Sequence, residues 1–320
     1  MVFRPGLATA LPQVLSGEGW DAFEVLTTER ALASATGLAD ATDAVRLVPR
    51  GQVPDVAAGL LPQVEADRLV ALGGGRVIDV AKAVAADRGG EVAAVPTTLS
   101  GAEMTAIHRL PAGSSASGGV RPSLVLADPG LMTSAPEEQL RATAMNALAH
   151  GADCIYTPSA TERSRLDALR GAGLIASSLD QPPAERDGAS LALGALMTAG
   201  ALDVAGFAIH HVISQTVVRV CGTPHAETNA AILPVVMEAM AERAPGHVAA
   251  LSGELGTDAD GIRVRIEELA GGRRALGELG ASRECIDPAV ETAMARGDLE
   301  TMTPGEVSAD DVRRIIEAAW

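Results

Sequence analysis

The chain has 320 residues, 47% of them hydrophobic and only 2% aromatic, and carries a formal net charge of −16 at neutral pH. That length suggests two domains, and so much apolar content builds sizeable cores from Ala, Val and Leu, which excludes a disordered chain. The acidic balance opposes binding to nucleic acid and to anionic membrane, because phosphate is repelled over most of such a surface; an anionic ligand needs a locally positive pocket.

In residues 1–135, short apolar runs alternate with helix-like stretches. Residues 23–26, 44–48, 69–72, 92–95 and 124–127 read as strands, the signature of a parallel α/β sheet, Rossmann-like, with helices on its faces. Ligands of such sheets bind at the carboxyl ends of strands, and three strands here end in small residues: Thr27-Thr28, Gly73 to Gly75, and Pro96-Thr97-Thr98. After the glycine triplet, Val77, Ile78, Val80, Ala81 and Val84 recur at helical spacing, so the stretch reads as strand, glycine turn, helix. The unpaired N–H groups opening that helix suit an anion such as a pyrophosphate, although a glycine triplet alone is as consistent with a tight turn. Lys82, in the same helix, is the single lysine among 25 Lys and Arg residues. Asp79 and Lys82 read either as ligand-site neighbours or as an i,i+3 pair on a solvated face. Residues 113–119, GSSASGG, read as a mobile hairpin tip.

From residue 136 to 320 the strand signal disappears. Residues 137–156, 163–179, 190–220, 226–244, 248–255, 260–276 and 309–320 read as helices, which makes the second domain all-α. Cys154, Cys221 and Cys285 are odd in number and far apart, which reads as three buried free thiols in a reducing cytosol. There is no signal-peptide pattern at Met1, and each apolar run is interrupted by charge or glycine before membrane-spanning length, so a soluble cytoplasmic protein is expected.

Four of the six histidines, His150, His210, His211 and His225, fall early in the helical half. Asn146 precedes His150 by four residues and so shares its helix face. Neutral imidazoles from three segments could hold a divalent metal such as zinc or iron; singly, each reads as a hydrogen-bonded histidine at a helix contact.

GGGRVIDVAK, PTTLSGAEMT, AMNALAHGAD, PHAETNAAILP and the ending VRRIIEAAW resemble, in this order, motifs of the iron-containing alcohol dehydrogenase superfamily, which shares its fold with dehydroquinate synthase. Within it the likeness is to the maleylacetate reductase branch. The resemblance implies an NAD(P)H-binding domain over 1–135, with Thr27 near the adenosine ribose, Gly74, Gly75 and Arg76 at the pyrophosphate, Thr97, Thr98 and Ser100 on the nicotinamide side, and Asp79 in the motif. It implies a substrate domain over 136–320, a homodimer, and reduction of a small oxo- or unsaturated carboxylic acid, maleylacetate to 3-oxoadipate serving as the example from aromatic compound catabolism. The metal ligands of metal-dependent members fall on Asn146, His150, His211 and His225. Here the carboxylate position is an amide, which implies a metal-free site in which these residues bind substrate; if a metal is bound, His150, His211 and His225 hold it. The chain departs from the family where the second histidine of an HxxxH pair is Gln215, where Arg76 replaces a serine, and where Val217-Val218-Arg219-Val220 replaces glycines. Arg121 and Arg219 are candidate cations for an acidic substrate. Gln215 cannot shuttle a proton near neutral pH, which keeps open a non-redox lyase or cyclase, or a non-catalytic nucleotide-binding protein.

Overall fold

The computed structural model describes residues 1–320 and divides into two compact units, Met1–Ala135 and Pro136–Trp320. The first carries six strands, β1 (Val2–Phe3), β2 (Glu24–Thr27), β3 (Ala44–Leu47), β4 (Arg68–Gly73), β5 (Glu91–Pro96) and β6 (Leu124–Ala127), in the order β1-β6-β5-β4-β2-β3, every neighbouring pair parallel. The two-residue β1 is too short to leave a periodic signal. Helices α1 (Leu11–Gly17), α2 (Glu29–Leu32), α3 (Val53–Leu60), α4 (Gly75–Arg88) and α5 (Pro129–Met132) complete the unit. Along β4, Leu69 and Ala71 join one core with α3 and α4, while Val70 and Leu72 join a second core with Leu11, Leu15 and Trp20. Both faces are covered, which is why the strand is a continuous apolar run. The chain leaves β2 for the edge strand β3 but leaves β4 for β5 on the opposite side, so the strand order reverses at the carboxyl ends of β2 and β4.

Lys82 is fully buried, which corrects the solvated-face reading of its pair with Asp79. Its ammonium donates to the Ala102 carbonyl at 2.9 Å, the Ile107 carbonyl at 2.6 Å and Asp79 Oδ1 at 3.1 Å. Lys82 therefore ties α4 to the irregular segment after β5. Burial lowers the amine's pKa, and the Asp79 charge opposes that shift. Residues 113–119 are not a hairpin tip, since no strand pair flanks them; the Ala112 N–H donates to the Pro54 carbonyl, Ser114 Oγ to Asp87, and the Val120 N–H to His108 Nε2.

Helices α6 (Glu137–Cys154), α7 (Glu162–Leu179), α8 (Gly188–Ala205), α9 (Ile209–Cys221), α10 (His225–Arg243), α11 (Pro245–Glu254), α12 (Ile262–Leu269), α13 (Ile286–Met294), α14 (Gly297–Met302) and α15 (Ala309–Ala318) build the second unit. The single helix expected over 190–220 is two, because Gly206 takes φ +78°, a conformation that L side chains rarely adopt. The helix expected over 260–276 stops at Leu269. Helix α8 is long and apolar enough to cross a membrane by length and composition alone, although Gly194, Gly200 and Asp203 interrupt its apolar run. Here it lies against α7: a Cβ on Gly171 would sit 2.8 Å from the Gly194 carbonyl, and one on Gly194 would sit 2.7 Å from the Gly171 carbonyl. Only glycine permits that approach.

A disulfide joins Cys221, at the end of α9, to Cys285, just before α13. This corrects the reading of three free thiols, since separation along the chain does not measure separation in the fold. Only Cys154 is free, and burial pushes its thiol up to about 11. The cysteine argument for a reducing compartment falls with the bond.

Two predictions follow from these features. Glu103, 1% exposed and without a hydrogen bond from another residue, is pushed up to about 7 chiefly by burial, with the Lys82 charge opposing. The folded state then holds a proton that the unfolded chain releases near pH 4.5, so stability present below that pH is lost as pH rises to 7, by roughly 3 kcal/mol. In urea unfolding at pH 5 and pH 8, Glu103→Gln is expected to remove most of this fall; an unchanged pH dependence would show that Glu103 is not its source. For the disulfide, which spans 64 residues of sequence, Cys285→Ser is expected to cost about 2–4 kcal/mol of unfolding free energy. Reductant should destabilise the parent chain by the same amount and leave the variant unaffected.

Candidate active site

In the first unit, α4 starts at Gly75 with Gly74 as its N-cap and with no side chain capping its first N–H groups. Those groups lie at the carboxyl end of β4 and can receive an anion. The glycines also admit the neighbouring loop: a Cβ on Gly74 would sit 3.1 Å from Thr98 Cγ2, and one on Gly75 would sit 2.9 Å from Ser100. Thr98 and Ser100 are thus brought to the glycine turn, Thr97 continues the β4–β5 pairing through its N–H to the Gly73 carbonyl, and Arg76 is exposed on the first turn of α4. This arrangement fits a nucleotide pyrophosphate. Thr27 does not face it. Fully buried, its hydroxyl donates to the Leu72 carbonyl at 2.8 Å, pinning β2 to β4, which corrects its assignment to a ribose. Thr28 caps α2. Arg121 donates to the Met104 carbonyl, and Arg219 is exposed on the last turn of α9.

In the second unit, Asn146, His150 and Asp153 lie along one face of α6 at spacings of four and three. Asp153, unassigned from the sequence, organises the site. Fully buried, it accepts from the N–H groups of Ala208, His210 and His211 at 3.0, 3.3 and 3.1 Å, from Tyr156 Oη at 2.5 Å, and from His211 Nδ1 at 2.8 Å. Burial alone would raise its pKa, but the hydrogen bond from His211, the neighbouring imidazoles and the Tyr156 hydroxyl hold the carboxyl well below the usual range. One carboxylate therefore caps α9 and sets its first histidines. With Nδ1 on Asp153, His211 presents Nε2, which has no protein partner. Its ring stacks on His150 at 5.1 Å and on Phe207 at 4.8 Å between centroids.

Asn146 Nδ2 lies 3.4 Å from His150 Nε2. Burial first, and then the neighbouring histidines, push His150 well below its ordinary range. His210 is fully buried, bonded through Nε2 to Asn229 Oδ1 at 2.8 Å and pushed down to about 3 by burial; it is a structural histidine. His225 opens α10 and makes no ring contact with the others; its pKa is pushed down to about 4, by burial first and then by His211. Gln215 follows His211 by one turn of α9, and its Oε1 accepts from Arg296 Nη1 at 2.9 Å. Arg296 and Phe207 carry no motif signal; Asp153 could have been found by its spacing from Asn146 and His150.

A metal ion does not fit this donor set. Asn146, His150, His211 and His225 bring no negative charge, and the one nearby carboxylate, Asp153, is engaged by five donors. No three His, Cys, Asp or Glu side chains are grouped to hold an ion.

Residues 141–320 match the C-terminal model of the Fe-containing alcohol dehydrogenase family, and residues 4–136 match a model described as iron-containing alcohol dehydrogenase. Maleylacetate reductase 2 of Cupriavidus pinatubonensis is 32% identical over 289 residues, covering 87% of this chain and 79% of that protein. The crystal structure of an iron-containing alcohol dehydrogenase from Corynebacterium glutamicum superposes with a TM-score of 0.88 at 27% identity, covering 99% of this chain and 93% of its own. A sulfoacetaldehyde reductase from Bifidobacterium kashiwanohense, solved in complex with NAD+, shares the fold with a TM-score of 0.81 at 20% identity, covering 98% and 95%. With both halves matched in order along nearly its whole length, the chain belongs to the iron-containing alcohol dehydrogenase family, as an oxidoreductase of its maleylacetate reductase-like branch.

Proposed function

We propose that the chain is an NAD(P)H-dependent reductase of a small oxo- or unsaturated carboxylic acid, with maleylacetate as substrate and 3-oxoadipate as product, and that it works as a homodimer without a required metal. The observation that carries this reading is the coexistence of an uncapped glycine turn suited to a pyrophosphate with a histidine cluster in which a buried carboxylate holds His211 and leaves its Nε2 without a protein partner. A bound nicotinamide would supply the hydride for reduction of the substrate double bond, the balancing proton coming from solvent. The N–H groups of Gly75 and Arg76 hold the pyrophosphate, and Thr98 and Ser100 border it. No acid ends β2, so either NADH or NADPH is admitted. Asn146, His150 and His225 donate to substrate oxygens as neutral groups, and Asp153 holds His211 so that Nε2 faces the developing enolate. The amide at Gln215, which neither takes up nor releases a proton in the neutral range, supports a second reading as a non-redox lyase or cyclase.

Turnover, chelation, nucleotide calorimetry and a zinc titration test the proposal. Purified protein with maleylacetate and NADH or NADPH is expected to consume the nicotinamide absorbance, and EDTA dialysis is expected to leave the rate unchanged. No turnover with either cofactor ends the substrate assignment, and no nucleotide binding in calorimetry favours the non-redox reading. Loss of rate on chelation, restored by one equivalent of iron or zinc, would make His150, His211 and His225 metal ligands. Asn146→Asp, which restores a charge, is expected to raise zinc affinity by about two orders of magnitude or more in a competition titration without changing nucleotide affinity. Equal zinc affinity in both proteins would show that the missing charge is not what limits the site.

A further inference from the structure

The position one helical turn after His211 is an amide whose orientation is set from outside its own helix. A guanidinium can only donate, so the 2.9 Å contact from Arg296 Nη1 identifies the near atom of Gln215 as its carbonyl oxygen. The amide nitrogen is thereby turned away from Arg296, and it donates to no protein group. Rotated by half a turn, the amide would set two donors against each other.

Arg296 is itself tightly held. It is the N-cap residue of α14, and its Nε and Nη2 donate to the Oδ1 and Oδ2 of Asp298 at 3.0 and 2.5 Å. That fork offsets its charge and leaves Nη1 for Gln215, so Arg296 is not an open anchor for a substrate anion. The segment that carries it follows α13, which packs on α9 and is bonded to the end of α9 through Cys285 and Cys221. Arg296 is therefore fixed with respect to the helix whose glutamine it holds.

We infer that Arg296 is a positioning residue that locks Gln215 as a hydrogen-bond donor, on the helix face of His211, to a carboxylate or keto oxygen of an acidic substrate. The inference rests on the proposed substrate class and adds how the glutamine recognises it. A locked donor selects an oxygen acceptor and discriminates against a ligand that offers its own donor there. Alone, the hydrogen bond is worth about a five- to tenfold change in affinity.

The test is calorimetric titration of 3-oxoadipate into the parent chain, Gln215→Leu, Arg296→Met and the double variant, with NADH titrated into each as a control. Gln215→Leu is expected to weaken 3-oxoadipate about tenfold and Arg296→Met about three- to fivefold, with the double variant no weaker than Gln215→Leu. NADH affinity should stay within twofold throughout. Gln215→Glu, which keeps the Arg296 contact but removes the donors, should weaken 3-oxoadipate at least as much as Gln215→Leu. If the two single effects multiply in the double variant, Arg296 does not act through Gln215 and the inference is overturned. It is overturned too if 3-oxoadipate binds all four proteins equally, if it does not bind the parent at millimolar concentration, or if only NADH affinity moves. Binding with the expected pattern but without turnover of maleylacetate would uphold the inference while ending the reductase reading.

Discussion

The second unit depends on a carboxylate kept charged in a place without solvent. An ionised Asp153 at zero exposure is tolerable only because five donors converge on it, three of them backbone N–H groups at the start of α9. The same contacts explain why α9 begins where it does, with no cap from Ala208 and with the positive end of its dipole directed at a charge on α6. Helix start, ring orientation of His211 and exclusion of Asp153 from any cation are one arrangement. A carboxylate so occupied cannot also serve as the anionic ligand that Asn146 fails to supply. The charge deficit of the histidine set is therefore a property of the whole junction between α6 and α9.

The sheet was legible because strands covered on both faces announce themselves as apolar runs, and the five runs identified fall on β2 to β6 within a residue or so at each end. What escaped was set by single residues or by distant partners. Gly206 breaks an apolar stretch that has no proline to mark the break, and α13 and α14 are too short to show a clear period. Thr27 was placed with a ligand because threonine after a strand resembles a loop end, yet its hydroxyl serves the neighbouring strand. The site was partly legible: Asn146 and His150 share a helix face by spacing, and Asp153 extends it. Arg296, however, reaches Gln215 across 81 residues, and nothing local records that. The cysteines failed in the same way.

The single lysine has a chemical consequence for the folded chain. Its ammonium is enclosed by two carbonyls and the Asp79 carboxylate, so no ε-amine is offered at the surface. Acylating reagents that modify lysine in most proteins will find no side-chain target while α4 and the segment after β5 stay closed. Modification of Lys82, followed over time by mass, then reports one event only, the local opening of the glycine-turn region, with no background from other lysines.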